Sequence, residues 1–353
     1  MLSRVAEHIY WLARHLDRVE NTARLFKATE HLLLDMPEDI IHRSGGWEQL
    51  AAIIGISPPS DSAQRPLTRE GMIHYFVNAP SEHMETPLDN PGSLAFLVEN
   101  ARNNLRVIRG VFPTRTWTYV EQLRTLVDSF NEESAVENRS TEMFEAVIQQ
   151  CEKINGMLCS SMSHDLAYDF YRMGQNIERA DMLTRILDVR GVRLFDLSDD
   201  PLHQPFENSQ WRMVIRAVNG LQMYRQSVSP RIQGPQVLRF ILQNTRFPRA
   251  LRHCILVMEG CIKDMAYSAP IRTHLRRLEE KLFSVDLEQM QSDSLHRFLD
   301  DLQTMLAALH DTIQTTYFRA AVTSGGRFQT SPTPPPLHSE TQHLEMQRAT
   351  MGN

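Results

Sequence analysis

One spaced pattern, Y-x-[LM]-[AG]-x-x-[LI]-[DE]-R-x-[ED]-x-x-x-R, occurs twice in the chain at an offset of 161 positions. Tyr10 corresponds to Tyr171, Leu12 to Met173, Ala13 to Gly174 and Leu16 to Ile177. Asp17-Arg18 corresponds to Glu178-Arg179, Glu20 to Asp181 and Arg24 to Arg185. At about 100° per residue each copy reads as a helix with two stripes. In the first, Val5, Ile9, Leu12, Leu16, Val19 and Ala23 face one way, and Tyr10, Arg14, Asp17, Asn21 and Arg24 the other. In the second, Leu166, Phe170, Met173, Ile177 and Ala180 oppose Tyr171, Gln175, Glu178 and Arg185. Amphipathicity alone does not require both acids and both arginines to recur. The pattern therefore implies a duplicated half and a bundle of two pseudo-repeated halves.

The rest of the chain supports an all-α reading. Glycine is scarce, 15 in 353 residues, while apolar residues make up 42%. Leu, Ala, Arg, Glu, Met and Gln dominate between breakers, and all are good helix formers. The expected helices are 3–35, capped by Ser3 and stopped by Pro37, then Trp47–Ile54, 68–78 and one from Ser93 to about Arg109. A helix from Thr114 or Thr116 through Phe130 follows, and then 140–161, 165–190, 208–228, 235–244, 248–266, 270–283 and 286–322. Residues 196–207, with Pro201 and Pro205, read as a connector. These boundaries give a first half at 1–162, a second at 163–322, and a tail at 323–353. The tail is rich in Gly, Ser, Thr and Pro, and such a composition implies disorder.

Charge and motif content narrow the function classes. A net charge of −6 argues against a nucleic-acid partner, which normally demands a basic domain. No apolar run approaches the ~18–20 residues of a membrane span, and the charged N-terminus has no signal-peptide core, so a cytoplasmic protein without a membrane partner is expected. The cysteines at 151, 159, 254 and 261 contain no CxxC and read as core thiols. Nucleotide-binding loops (GxxxxGK[ST], GxGxxG) and the hydrolase motifs HExxH and GxSxG are absent, so no cofactor and no metal are expected. His8 and His15 stand too far apart along one helix to share an ion, and His164-Asp165 reads as capping. Trp11, Trp47, Trp117 and Trp211 read as packing. Only Lys27, Lys153, Lys263 and Lys281 are lysines among 37 basic residues. The arginine clusters 102/106/109, 246/249/252 and 272/276/277 fit either solvated faces or carboxylate and phosphate contacts.

The constellation Tyr10, Asp17, Arg18, Glu20, Arg24, Tyr171, Glu178, Arg179, Asp181 and Arg185 is the candidate functional site. Glu20 and Asp181 each precede an arginine by four residues, the favourable order for a helical ion pair. Two readings stand at this point. The pairs stabilise solvated helix faces, or they form partly buried units at the seam between halves, locking them or binding a ligand or peptide.

The opening Met1-Leu2-Ser3-Arg4-Val5-Ala6-Glu7-His8-Ile9-Tyr10-Trp11-Leu12-Ala13-Arg14, with Asp17-Arg18-Val19-Glu20-Asn21-Thr22-Ala23-Arg24, resembles the bacterial alpha-E domain family. So do Phe170-Tyr171-x-x-Gly174-x-x-Ile177-Glu178-Arg179-Ala180-Asp181, Glu99-Asn100-Ala101-Arg102 and the segment Asn244–Arg252. The family usually has Glu where this chain has Asp17. The similarity spans roughly residues 1–322. It implies an all-helical protein encoded beside, or fused to, a circularly permuted ATP-grasp ligase, often with a transglutaminase-like peptidase, in gene sets that form amide bonds on peptides. The function this implies is that of a helical partner or co-catalytic subunit of such a ligase. Two alternatives are a stand-alone enzyme using Glu20 and Asp181 as acid and base, and a purely structural oligomerising bundle.

Overall fold

In a computed structural model, residues 1–37, 46–56, 69–77, 90–130, 139–192, 194 and 204–319 are described, all within one compact unit, Met1–Ala321. The predicted tail at 323–353, and most of the connector predicted at 196–207, lie outside the described residues. Thirteen α-helices and no strand occur among the described residues. They are α1 (Ser3–Leu34), α2 (Gly46–Ile54), α3 (Arg69–Val77), α4 (Leu94–Val107), α5 (Arg115–Asp128), α6 (Arg139–Ser161) and α7 (Leu166–Ile186). The remainder are α8 (Gln204–Ala217), α9 (Leu221–Ser227), α10 (Gly234–Gln243), α11 (Leu251–Cys261), α12 (Ala269–Phe283) and α13 (Ser292–Ile313). The chain is all-α, as its composition demands.

Local chemistry sets most boundaries. Ser93 caps α4 by accepting from Phe96 N–H, and Asp165 caps α7 by accepting from Ala167 and Tyr168 N–H. Pro sits in the first turn of α10 and α12, where its missing N–H costs nothing. Four expectations need correction. Ser3 is not the cap of α1: Leu2 holds that position and no side chain caps it. The helix expected over 208–228 is two helices, and the first begins at Gln204, within the connector expected over 196–207. Asn219 adopts φ 55°, and Gly220 N–H returns to the Ile215 carbonyl, a left-handed C-terminal cap that ends α8. The helix expected from 286 starts at Ser292, where Gln291 and Ser294 form a capping box. The helix expected over 248–266 is the shorter α11, Leu251–Cys261.

Helix α1 is central. At 32 residues it is about 48 Å long, and it packs against α4, α6, α7 and α8. Its most extensive partner is α7, which also packs against α11 and α13. Enclosed on this many sides, α1 has no exposed residue between Val5 and Glu30; Arg4, His31 and Leu34, at its ends, are exposed. Both stripes of α1 are therefore inside: Ile9, Leu12 and Leu16 on one, and Tyr10, Asp17 and Asn21 on the other, all buried. The solvated-face reading of the polar stripe fails for this reason.

Candidate functional site

Helices α1 and α7 run in the same direction and in register with the sequence repeat. Tyr10 and Ala13 meet Gly174, Arg14 and Arg18 meet Glu178, and Asp17 meets Arg179, so contacts advance together along both helices. The two backbones approach closely at Gly174. A Cβ there would lie 2.2 Å from the Tyr10 carbonyl oxygen and 3.1 Å from the Ala13 Cβ. The absence of a side chain at Gly174 brings the two backbones together and sets the distance across which the next turn's charges meet.

That next turn holds Asp17-Arg18 and Glu178-Arg179, and the two dipeptides exchange partners. Arg18 donates from Nε and Nη2 to Glu178, and Arg179 donates from Nε to Asp17 at 2.9 Å. Neighbouring residues on a helix diverge by about 100°, so the exchanged pairs fall on different sides of the α1/α7 seam. Each nucleates its own cluster.

Around Glu178 the partners come from α1 and α13. Arg14 Nε donates to its Oε2 at 2.8 Å, completing three charge-assisted bonds to a fully buried carboxylate. Burial pushes the Glu178 carboxyl up, but Arg18 and Arg14 outweigh it and hold its pKa at about 2. Arg14 also contacts His310 Nδ1 (3.2 Å), which accepts from the Tyr10 hydroxyl at 2.7 Å. Nδ1 thus faces two donors, and Nε2 lies 3.0 Å from the Gln314 side-chain amide nitrogen. Burial, then the Arg14 charge, lower the His310 pKa to about 2, and burial and Arg18 lower that of His15 to about 3. Both rings are neutral. Burial raises the Tyr10 phenol above its ordinary value, so it too is a neutral donor. Trp11 lies beneath the Arg14 guanidinium at 5.0 Å and against His15 and His310.

The second cluster surrounds Asp17 and Glu20. Arg249, in the segment before α11, bonds Glu20 and donates from Nη1 to Asn21 at 2.5 Å. Arg24 bonds Glu20 and reaches Glu152 on α6. Asn155 donates to Glu20 and accepts from the Tyr171 hydroxyl (2.6 Å) and Gln175. Burial raises Glu20, but Arg249, Arg24 and Arg179 reverse that and leave it below its usual value. Burial raises the Asp17 carboxyl against the pull of Arg179 and Arg249.

The ten predicted site residues are therefore divided. Tyr10, Arg18 and Glu178 belong to the first cluster; Asp17, Glu20, Arg24, Tyr171 and Arg179 belong to the second. Asp181 pairs with Arg185 at 3.1 Å, and its charge is felt at Tyr10 and Arg14. Glu20 and Asp181 engage different partners, Arg24 and Arg249 for the one and Arg185 for the other. Sequence reasoning missed Arg14, His310, Asn155 and the role of Arg249. Arg249 had a signal, its place in an arginine cluster; Arg252 of that cluster pairs with Glu279 instead. His310 and Asn155 had none, because their partners are distant in sequence. Cys151, Cys254 and Cys261 are buried as expected, but Cys159 is exposed.

The family model of Alpha-E, described as a predicted alpha-helical domain with a conserved ER motif, matches residues 1–318. The chain belongs to the Alpha-E family. Its only Glu-Arg dipeptide is Glu178-Arg179, at the centre of the exchange with Asp17-Arg18. This Alpha-E chain is 24% identical over 334 residues to uncharacterized proteins of Mycobacterium bovis and Mycobacterium tuberculosis, a match covering 88% of the chain. It spans about a third, 36%, of the length of those curated relatives. No solved structure matches it. Among the described residues of the Alpha-E chain, no helix is long and apolar enough to cross a membrane.

Proposed function

We propose that the chain is the helical partner, non-catalytic or co-catalytic, of an ATP-grasp-type ligase that forms peptide or amide bonds, and that its twin ion-pair clusters lock α1 to α7. The carrying observation is the state of Glu178. A buried carboxylate saturated by two arginines, with a pKa of about 2, neither gives nor takes a proton near neutral pH. The centre of the motif is built to position helices, which leaves bond-forming chemistry to another polypeptide. The length of the mycobacterial relatives, with much chain beyond the matched segment, supports a module that works beside others. The resemblance described above supplies the class of partner, with a transglutaminase-like protein as a further member. We also take the reciprocal pairing of α1 and α7 as the trace of a duplication, with halves at 1–162 and 163–322.

The test is reconstitution. The chain is co-expressed with a circularly permuted ATP-grasp ligase, and complex formation and ATP-dependent amide formation are measured with and without it. Co-elution together with loss of ligation when the chain is omitted is the expected result. A ligase that runs at full rate alone and forms no complex overturns the proposal. A clear micromolar isotherm of the isolated chain with ATP and Mg²⁺ favours instead an enzyme in its own right.

A further inference from the structure

Between Glu207 and Glu259 the chain carries eight arginines and no acidic residue, although its net charge is −6. Three of the eight have carboxylate partners: Arg239 with Glu288, Arg249 with Glu20 and Arg252 with Glu279. Among the described residues, Arg212 and Arg216 of α8, Arg225 of α9, Arg231 and Arg246 have none. Positive charge in this stretch is therefore uncompensated, and two of its carriers converge.

Helix α8 and the segment before α10 enclose a cleft of about 420 Å³ lined by Asn208, Arg212, Pro230, Arg231, Ile232 and Gln233. This is within the range of small-molecule sites, roughly 300–1,000 Å³. Arg212 Nε is shielded from solvent and has no hydrogen-bond partner. A buried guanidinium donor without an acceptor is unfavourable, because it has lost water and gained nothing in return. The opposite wall is held rigidly. Arg231 N–H donates to Ser229 Oγ, and its carbonyl accepts from the buried Tyr224 hydroxyl, both at 3.1 Å. Ile232 is buried beside it, and at Gly234 the backbone lies so close to Trp211 that a Cβ would sit 2.9 Å from the indole. Arg231 is thus presented on a preorganised backbone, which lowers the ordering cost of binding.

We propose that this cleft binds a small molecule bearing a carboxylate or phosphate group, the oxyanion held between the Arg212 and Arg231 guanidinium groups. Planar guanidinium forks match either oxyanion in a two-pronged geometry. The Asn208 and Gln233 amides, each both donor and acceptor, flank the charge and suit the polar remainder of such a ligand. The site is separate from the α1/α7 clusters. Its test uses the isolated full chain, so its outcome is independent of the ligase reading.

The experiment is calorimetric titration with inorganic phosphate and, separately, with succinate, in low-salt chloride buffer, alongside ¹⁵N spectra of the arginine Nε–H groups. A saturable isotherm with at least one probe is expected, with movement of the Arg212 Nε–H resonance. The probe that binds identifies the oxyanion. Arg231→Gln should weaken binding about tenfold or more, as loss of a charge-assisted pair implies, while Arg216→Gln, on α8 with Arg212, leaves it unchanged. Arg212→Lys keeps the charge, removes Nε and should also weaken binding. Arg231 is exposed, so its variant carries the test if Arg212→Lys melts early. Absence of saturation with both probes, or isotherms unchanged in both Arg231→Gln and Arg212→Lys, overturns the proposal.

Discussion

Arg18 of α1 grips Glu178 of α7 with two guanidinium nitrogens, one on each carboxylate oxygen, while their sequence neighbours Asp17 and Arg179 make the reverse bond. Glu178 is fully buried, so the bond is not a surface decoration. Glu178→Gln leaves Arg14 and Arg18 with an uncompensated charge inside the protein. The expected loss is about 3–5 kcal/mol, read from urea unfolding. Arg18→Met should cost less, because Arg14 still answers the carboxylate. A loss below about 1 kcal/mol for Glu178→Gln would place the pair in the class of solvated bridges.

Acid should weaken the fold in two windows. The His310 pKa is about 2 when folded, against an ordinary value of 6.5. The unfolded chain thus binds the proton first, and stability falls as pH drops below about 6.5. Glu178, at about 2 against 4.5, adds its own loss as pH falls from about 4.5 toward 2. Urea midpoints measured from pH 8 to pH 4 should decline in the wild type. They should decline less steeply between pH 6.5 and 5 in His310→Gln, which cannot titrate. An identical slope in that variant would remove His310 from the acid response.

Gly174→Ala opposes two effects of opposite sign. Ala favours a helix over Gly by about 1 kcal/mol. Here its methyl would lie 2.2 Å from the Tyr10 carbonyl oxygen, a backbone atom that cannot swing aside. The helices must part, and overpacking of this kind costs about 1–3 kcal/mol or more. We expect a lower melting temperature despite the better helix former. A raised one would show that the α1/α7 crossing yields readily.

The two repeated acids should respond unequally. Glu20 is buried among Arg24, Arg249 and Asn155, whereas Asp181 is partly exposed beside Arg185. Glu20→Gln should lower the melting temperature clearly, and Asp181→Asn should do so only slightly. Equal shifts would mean that the burial difference between them has no energetic weight.

Thiol labelling offers a simple check of packing. Cys159 is exposed, while burial raises the other three thiols, Cys254 and Cys261 to about 12. Iodoacetamide at neutral pH should modify Cys159 alone in the native protein and all four cysteines in urea. Mass spectrometry of the labelled peptides reads this directly.

Helix existence was legible in the linear chain because it rests on local physics. Periodicity marked α1 and α7, Ser93 and Asp165 announced their capping roles, and proline in α10 and α12 suited a first turn. The offset-161 repeat named many of the charged residues that meet, but not that α1 and α7 pack directly against each other. Burial of the polar stripe was not legible. The pattern of Tyr10, Asp17 and Asn21 is the same whether the face opposite the apolar stripe meets water or other helices. Only the enclosure of α1 by α4, α6, α7 and α8 decided it. The same holds for partners such as His310 with Tyr10 and Arg249 with Glu20, separated by hundreds of residues. Which buried carboxylate meets which arginine depends on helix rotation and spacing, and these are settled by packing the whole core at once. The sequence determined which residues would be helical and which charges would recur; the tertiary structure decided that those charges would be inside, and therefore strong.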